Sequence, residues 1–232
     1  MNASHYIGSE LELFAGAHNW KARLRRELRP YLGGRVLEVG AGIGGTTAAL
    51  CDGGGAWLCL EPDAGQAGRI AAKVSAGELP VVCQVCAGTL VELPATTGFD
   101  TILYIDVLEH IADDVAELQE AARRLAPGGY LVVVAPAWPW LYGPFDAAVG
   151  HHRRYTRKAL AALTPPGLRV ARARYLDSVG LLASLGGRLR GTAQPSHGQI
   201  ALWDRVLVPL SRWVDPLIGH ALGRSLLLVW RA

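Results

Sequence analysis

The sequence predicts an open, largely parallel α/β sheet with helices on both faces, and three observations carry that reading. Apolar runs of strand length alternate with helical stretches through the first 136 residues. A glycine-rich turn, GAGIGG at Gly40–Gly45, follows the first of those runs. The chain has 232 residues, 50% hydrophobic and 19% charged, which is enough to build a substantial core and excludes a mainly disordered polypeptide.

The elements follow in order. Residues 10 to 30 place Leu11, Phe14, Trp20, Leu24 and Leu28 on a loose apolar face, which predicts a helix ended by Pro30 and Gly33–Gly34. RVLEV reads as a buried strand, then comes the glycine turn, then the helix TTAALCD. AWLCLE is the second strand, and Pro62-Asp63 leads into a helix over about Ala64–Ser75. LPVVCQVCA and FDTILYI are the third and fourth strands; VLEHIADDVAELQEAARRL is a long helix broken by APGG, and YLVVVAP is the fifth strand. After Pro136 the alternation gives way to a loop rich in Trp, Pro and Tyr. LRVARARYL is the sixth strand and SLLLVWRA the seventh. Residues 177–222 between them are too long for a simple connection and read as a helical cap.

The domain expectation is therefore a single unit. It comprises an amino-terminal helical lid (about 1–30), a core (35–136), a loop, sixth strand and cap (about 137–222), and a closing strand (224–232). No apolar run reaches the roughly 18–20 residues of a membrane-spanning helix. The start, MNASHYIGSELELF, lacks the pattern of a secretory signal, so a soluble cytoplasmic protein is expected. The four cysteines, Cys51, Cys59, Cys83 and Cys86, read as reduced thiols, because the CxxC pair lies on a strand with its side chains on opposite faces.

Charge is uneven. Residues 1–150 hold 10 basic and 17 acidic residues, whereas residues 151–232 hold 13 basic and 3 acidic. A basic final third is expected to meet something negative, such as an anionic acceptor or a lipid surface, or else to be solvated surface. The stretch IALWDRVLVPLSRWVDPLIGHALGR is amphipathic with Trp and Arg suited to peripheral membrane contact, although Pro209 and Pro216 are expected to interrupt it. Packing as a cap or as a dimer face is the alternative, leaving monomer and homodimer both open.

Gly40, Gly42 and Gly44 allow a tight turn that approaches a ligand closely, and the next helix aims its amino-terminal amides there. Gly40, Gly42 and Gly45 also satisfy the dinucleotide pattern GxGxxG. Glu38 beside that turn would repel a pyrophosphate, which disfavours a nicotinamide oxidoreductase. It would favour S-adenosylmethionine, which carries an ammonium and a sulfonium but no phosphate. Glu61, at the end of the second strand, suits ribose hydroxyls in either case.

With these residues in place, the chain resembles the class I S-adenosylmethionine-dependent methyltransferases. The resemblance runs from about Arg35 to Pro136 through LEVGAGIG, LEPD, AGTLVEL, FDTILYIDVLEHIADD and LAPGGYLVVVAP. It implies a Rossmann-like, seven-stranded, mostly parallel sheet whose last strand is antiparallel. It also implies that Glu38 and Gly40–Gly44 face the methionine part, Glu61 the ribose, Thr89 and Leu90 the adenine, and Ile105–Asp106 the sulfonium. Thr89 departs from the acidic residue that many members carry there. Tyr6 and Trp20 are candidates to shield the sulfonium by cation–π contact, or else core residues.

Methyl transfer needs alignment, exclusion of water, and a base when the nucleophile must lose a proton. Asp106, His110 and His151 are the candidate bases. Trp138 and Tyr142 are expected to wall an acceptor pocket, with His152, Arg153, Arg154 and Tyr155 of GHHRRYT binding an anionic small molecule. The alternative for the arginines is bracing through ion pairs. Adjacent histidines lack the i, i+4 spacing of a helical metal site, so no metal is expected. No NPPY-like tetrad follows the fourth strand, which argues against a nucleic-acid acceptor. The expected function is methyl transfer to an oxygen or nitrogen of a small molecule; the alternatives are a nucleic-acid methyltransferase, an NAD(P)-dependent oxidoreductase, and a non-catalytic cofactor-binding or membrane-surface module.

Overall fold

Strand-length apolar runs assemble into seven strands: β1 (Arg35–Val39), β2 (Ala56–Glu61), β3 (Cys83–Ala87), β4 (Phe99–Ile105), β5 (Leu125–Pro136), β6 (Arg169–Leu176) and β7 (Ser225–Arg231). Their order is β3-β2-β1-β4-β5-β7-β6. Neighbours from β3 to β5 are parallel, and β7 runs antiparallel to both β5 and β6, as expected. This computed structural model describes residues 9–94, 98–189 and 195–232. Tyr6 lies outside the described residues.

Register places the functional edge. Val39 pairs with Leu60 and with Tyr104, so the carboxyl ends of β1, β2 and β4 finish side by side. Open α/β sheets bind ligands at that edge. One face of the sheet carries Val36, Cys59, Leu103, Val132, Leu227 and Val229; the other carries Leu37, Leu60, Ile102, Leu131, Val133 and Leu228. On the first face pack Leu24 and Leu28 of α2 (His18–Leu28), Leu50 of α3 (Gly45–Leu50) and Ile70 of α4 (Ala64–Ser75). On the second pack Leu118 and Ala121 of α5 (Asp114–Arg123) and Leu160 of α7 (Arg157–Ala162). A short α6 (Pro144–Ala148) lies in the loop between.

Several boundaries differ from expectation for local reasons. The helix expected over 10–30 is two, α1 (Ser9–Ala15) and α2, because Gly16 and the non-helical Ala17 (φ −78°, ψ 69°) separate them. The helix expected from Val107 begins only at Asp114, where Asp113 caps it by accepting from the Ala116 amide at 2.9 Å; a 3₁₀ turn, Leu108–His110, precedes it. β3 starts at Cys83 because the segment at Pro80, which has no amide to donate, closes a turn through Cys83 N–H to Pro80 C=O at 2.9 Å.

The cap consists of α8 (Ser178–Leu189), α9 (His197–Leu202), a π turn (Trp203–Leu207) and α10 (Val208–Leu217). Pro209 and Pro216 do not interrupt the run from 197 to 217. Pro209 enters in the first turn of α10 directly after the π turn, where its missing N–H is tolerated, and Pro216 stands next to the carboxyl end. The outer side of this run leaves Leu202, Leu210, Trp213 and Leu217 exposed. Among the described residues, no helix is long and apolar enough to cross a membrane.

Three buried aspartates anchor the cap. Asp204 accepts from the Asn19 and Trp20 amides at 3.1 and 2.8 Å, capping α2, whose own N-cap Ala17 has no side chain to do so. Asp215 takes Arg23 and the amides of Asp177 and Ser178, while Asp177 accepts from Trp203 Nε1 and Ser211 Oγ. These are all the acidic residues of the basic final third, so its exposed charge is carried by arginines and a lysine.

Candidate active site

The turn after β1 is built on glycine because it must be. Gly40, Gly42 and Gly44 have φ of 67°, 58° and 77°, the left-handed region. At Gly40 a Cβ would also lie 2.7 Å from a Val107 methyl. The amides of Gly40 and Ala41 donate to the Leu60 carbonyl at 2.8 and 3.2 Å. Glu61, 6% exposed, then fastens the turn to the end of β2: one oxygen accepts from Gly42 N–H at 2.7 Å and the other from Asp63 N–H at 3.0 Å. Burial raises the Glu61 pKa, and the two amides oppose that. A carboxylate has about four lone-pair positions, so two remain for another donor. Leu11 of α1 lies over Gly42.

Glu38 sits elsewhere than at the open turn. Alternation along β1 puts it on the face of Val36, beneath α3, where one oxygen accepts from Thr47 Oγ1 at 2.7 Å and Trp57 Nε1 at 2.9 Å. Burial lifts its pKa to about 7 against those two bonds. That oxygen ties β1, β2 and α3 together. Trp20 is packed against Trp203 with ring centroids 5.8 Å apart, inside the core. After β3, Thr89 is exposed and precedes the 3₁₀ turn Leu90–Glu92; its amide and its hydroxyl both donate to the Glu92 carboxylate, at 2.6 and 3.0 Å. The Leu90 side chain is core, so that residue offers its backbone at the edge.

Beyond β4 the chain turns at Asp106, a non-glycine residue with φ 54°. Its amide is held by the Val134 carbonyl at 2.8 Å, and Ile105 precedes it half-buried. Asp106 is exposed to solvent, but the chain packed around it partly buries the carboxyl group. That burial raises its pKa, while Arg224, His151 and Arg154 pull it down. Arg224 lies 4.5 Å from the Trp203 ring centroid. Beside them, the His110 and His151 rings meet edge to face at 4.6 Å. Burial and the neighbouring His151 lower the His110 pKa to about 4, so His110 is neutral near pH 7.

His151 Nδ1–H donates to Asp146 Oδ1 at 2.7 Å, and Arg154 Nε donates to the same oxygen at 2.7 Å. Burial pushes the Asp146 pKa up, but the His151 and Arg154 bonds outweigh it and hold the group below its usual value. Asp146, Glu109 and Arg224 went unselected in the sequence. The available signals were weak: an acid three residues after a Gly-Pro helix start, an acid beside His110, and an arginine opening the last strand.

The expected acceptor residues divide. Asp106, His110, His151 and Arg154 lie together beside the carboxyl end of β4. Tyr155 does not: it is 3% exposed and its hydroxyl donates to Asp114 Oδ2 at 2.8 Å. Arg153 pairs with the same carboxylate at 2.9 Å, so both brace the loop to α5. Trp138 stacks on Tyr175 at 4.5 Å and donates to the Gly223 carbonyl, which turns it onto β6 and β7. Tyr142 donates to the His151 carbonyl at 2.8 Å, and His152 is exposed. A separate cavity of about 260 Å³, lined by Arg29, Gly34, Cys51 and Trp57, opens at the amino end of β1 and β2, away from this edge.

Residues 37–133 match the family model of a methyltransferase domain. A ubiquinone biosynthesis O-methyltransferase of Azorhizobium caulinodans is 33% identical over 109 residues, 47% of this chain and 42% of that protein. A demethylmenaquinone methyltransferase of Mycolicibacterium vanbaalenii is 36% identical over 145 residues, 62% of this chain and 58% of that one. The chain thus spans about half the length of these curated relatives. A solved geranyl diphosphate methyltransferase in complex with S-adenosylmethionine superposes with a TM-score of 0.65 at 17% identity, covering 98% of this chain and 92% of that one. Residues 37–133 thus carry a methyltransferase domain, and the strand order with its antiparallel β7 is that of the Rossmann-like, class I S-adenosylmethionine-dependent methyltransferase fold.

Proposed function

We propose that the chain transfers a methyl group from S-adenosylmethionine to an oxygen or nitrogen of a small acceptor that bears negative charge. The observation that carries this is the shared edge. The glycine turn held by Glu61 and the charged cleft around Asp106, Arg154 and Arg224 adjoin at the ends of β1, β2 and β4. Left-handed glycines and spare lone pairs on Glu61 fit an adenosyl ligand. In this reading Gly40–Gly44 and Ile105–Asp106 line the methionine end, Glu61 takes the ribose hydroxyls, and Thr89 with the Leu90 backbone borders the adenine.

The donor, when bound, supplies a methyl on a positively charged sulfur that leaves as a neutral thioether. The chain's own work is then to align the acceptor, exclude water and accept a proton. Asp106, at the end of β4, is placed for the last task; Arg154 and Arg224 suit an anionic acceptor. The name of the Azorhizobium relative, an O-methyltransferase, supports oxygen as the nucleophile.

Calorimetry with S-adenosylhomocysteine and NAD in parallel tests the donor, and transfer of a labelled methyl group into phenolic, carboxylate and amine panels tests the acceptor. Binding of the homocysteine product with labelling of an anionic acceptor is expected. Binding of NAD alone would overturn the proposal.

A further inference from the structure

We propose that Glu109, His110 and His151 form a site for a divalent cation of the zinc type on the acceptor side of the cleft. Two segments some 40 residues apart in sequence supply these residues, and one ligand atom from each lies within 4.8 Å of the others. Sequence spacing therefore gave no hint of them.

Glu109 is the anomaly that points to a ligand. It is fully buried (0% exposed), and neither carboxylate oxygen has a hydrogen-bond partner. A buried carboxyl group left without a partner is costly, and either protonation or a bound cation relieves that cost. His151 Nε2 faces it at 3.9 Å from Oε1, too far for a hydrogen bond. Ligand atoms held about 2 Å from one tetrahedral zinc lie roughly 3.3 Å apart, so small side-chain rotations close the set.

The surroundings have the form that metal-binding histidines require. Asp146 Oδ1, 2.7 Å from His151 Nδ1, fixes that ring so that Nε2 is the nitrogen turned to Glu109. Asp146 is itself oriented by the Gly143 amide and Arg154. His110 is hydrogen-bonded to the Gly150 backbone, immediately before His151. Two imidazoles and one carboxylate suit zinc, iron, cobalt or nickel and leave a coordination position open. The role of that position, holding an ionised acceptor oxygen near Asp106, rests on the methyl-transfer reading; the existence of the site does not.

Titration of chelator-stripped full-length protein with Co²⁺, followed by visible absorption, tests this. One Co²⁺ per chain is expected, with d–d bands and no thiolate-to-cobalt charge-transfer band. Glu109→Gln and His151→Gln should each weaken binding at least about tenfold. Circular dichroism checks folding, and if one variant misfolds the other decides. No binding by the wild-type chain, binding indifferent to both substitutions, or a thiolate band would overturn the proposal. A thiolate band would move the ion to Cys51 and Cys83, whose sulfurs are 3.5 Å apart. S-adenosylhomocysteine affinity, measured on the same samples, separates the two readings: its retention without cobalt binding refutes the metal site alone, and its loss with cobalt retained refutes the donor pocket alone.

Discussion

Replacing Glu38 by Gln should make the protein's stability respond differently to pH. Glu38 is 2% exposed, and burial raises its pKa from 4.5 to about 7. A carboxyl group whose folded pKa is raised binds its proton more tightly in the native state. Its contribution is thus fully present below the unfolded pKa and is lost as pH climbs through the folded value. Between pH 5 and pH 8 this linkage removes about 2.5 kcal/mol from the wild-type chain. The glutamine variant has no proton to release, and its amide oxygen can still accept from Thr47 and Trp57. Whatever its stability at pH 5, its advantage over wild type should grow by about 2.5 kcal/mol by pH 8, or about 5–10 °C in Tm for a chain of this size. Urea denaturation of both proteins at several pH values measures the difference. A gap that stays constant across that range would refute the placement of Glu38 as a desolvated carboxyl group.

Other substitutions test the remaining contacts. Glu61→Ala removes the acceptor for the Gly42 and Asp63 amides and should weaken S-adenosylhomocysteine binding about 10–100-fold by calorimetry. Unchanged affinity would remove Glu61 from the site. Asp215→Ala leaves buried Arg23 without its counter-charge and frees the Asp177 and Ser178 amides, so it should cost about 3–5 kcal/mol in chemical unfolding. Tyr155→Phe should cost about 1 kcal/mol of stability through the lost Asp114 bond while leaving acceptor KM unchanged. A raised KM at unaltered stability would return Tyr155 to the acceptor surface.

Strands and the glycine turn were legible because each is specified locally. RVLEV, AWLCLE and FDTILYI stand in the structure at the bounds that their apolar runs announce, and positive φ at Gly40, Gly42 and Gly44 is a property of glycine itself. Glu38 shows what local reading overlooked: along a strand its side chain must share a face with Val36, and that face is covered by α3. The division of the long helix followed from Asp113, a capping residue that the apolar periodicity masked. The sequence assigns Tyr155 to the acceptor and leaves Arg153 between acceptor and bracing, because their partner, Asp114, lies some 40 positions away. For the same reason no spacing rule brings Arg224 beside Asp106, or His151 beside Glu109.

The distant cap on α2 has a bearing on the order of events in synthesis. The amides of Asn19 and Trp20 find their acceptor in a residue about 185 positions later, so this early helix emerges from the ribosome with its first turn unfinished. It is sealed only when Asp204 has been translated. Nascent chains halted before that point should hold the amino-terminal segment loosely, open to proteases, and release from the ribosome should close it.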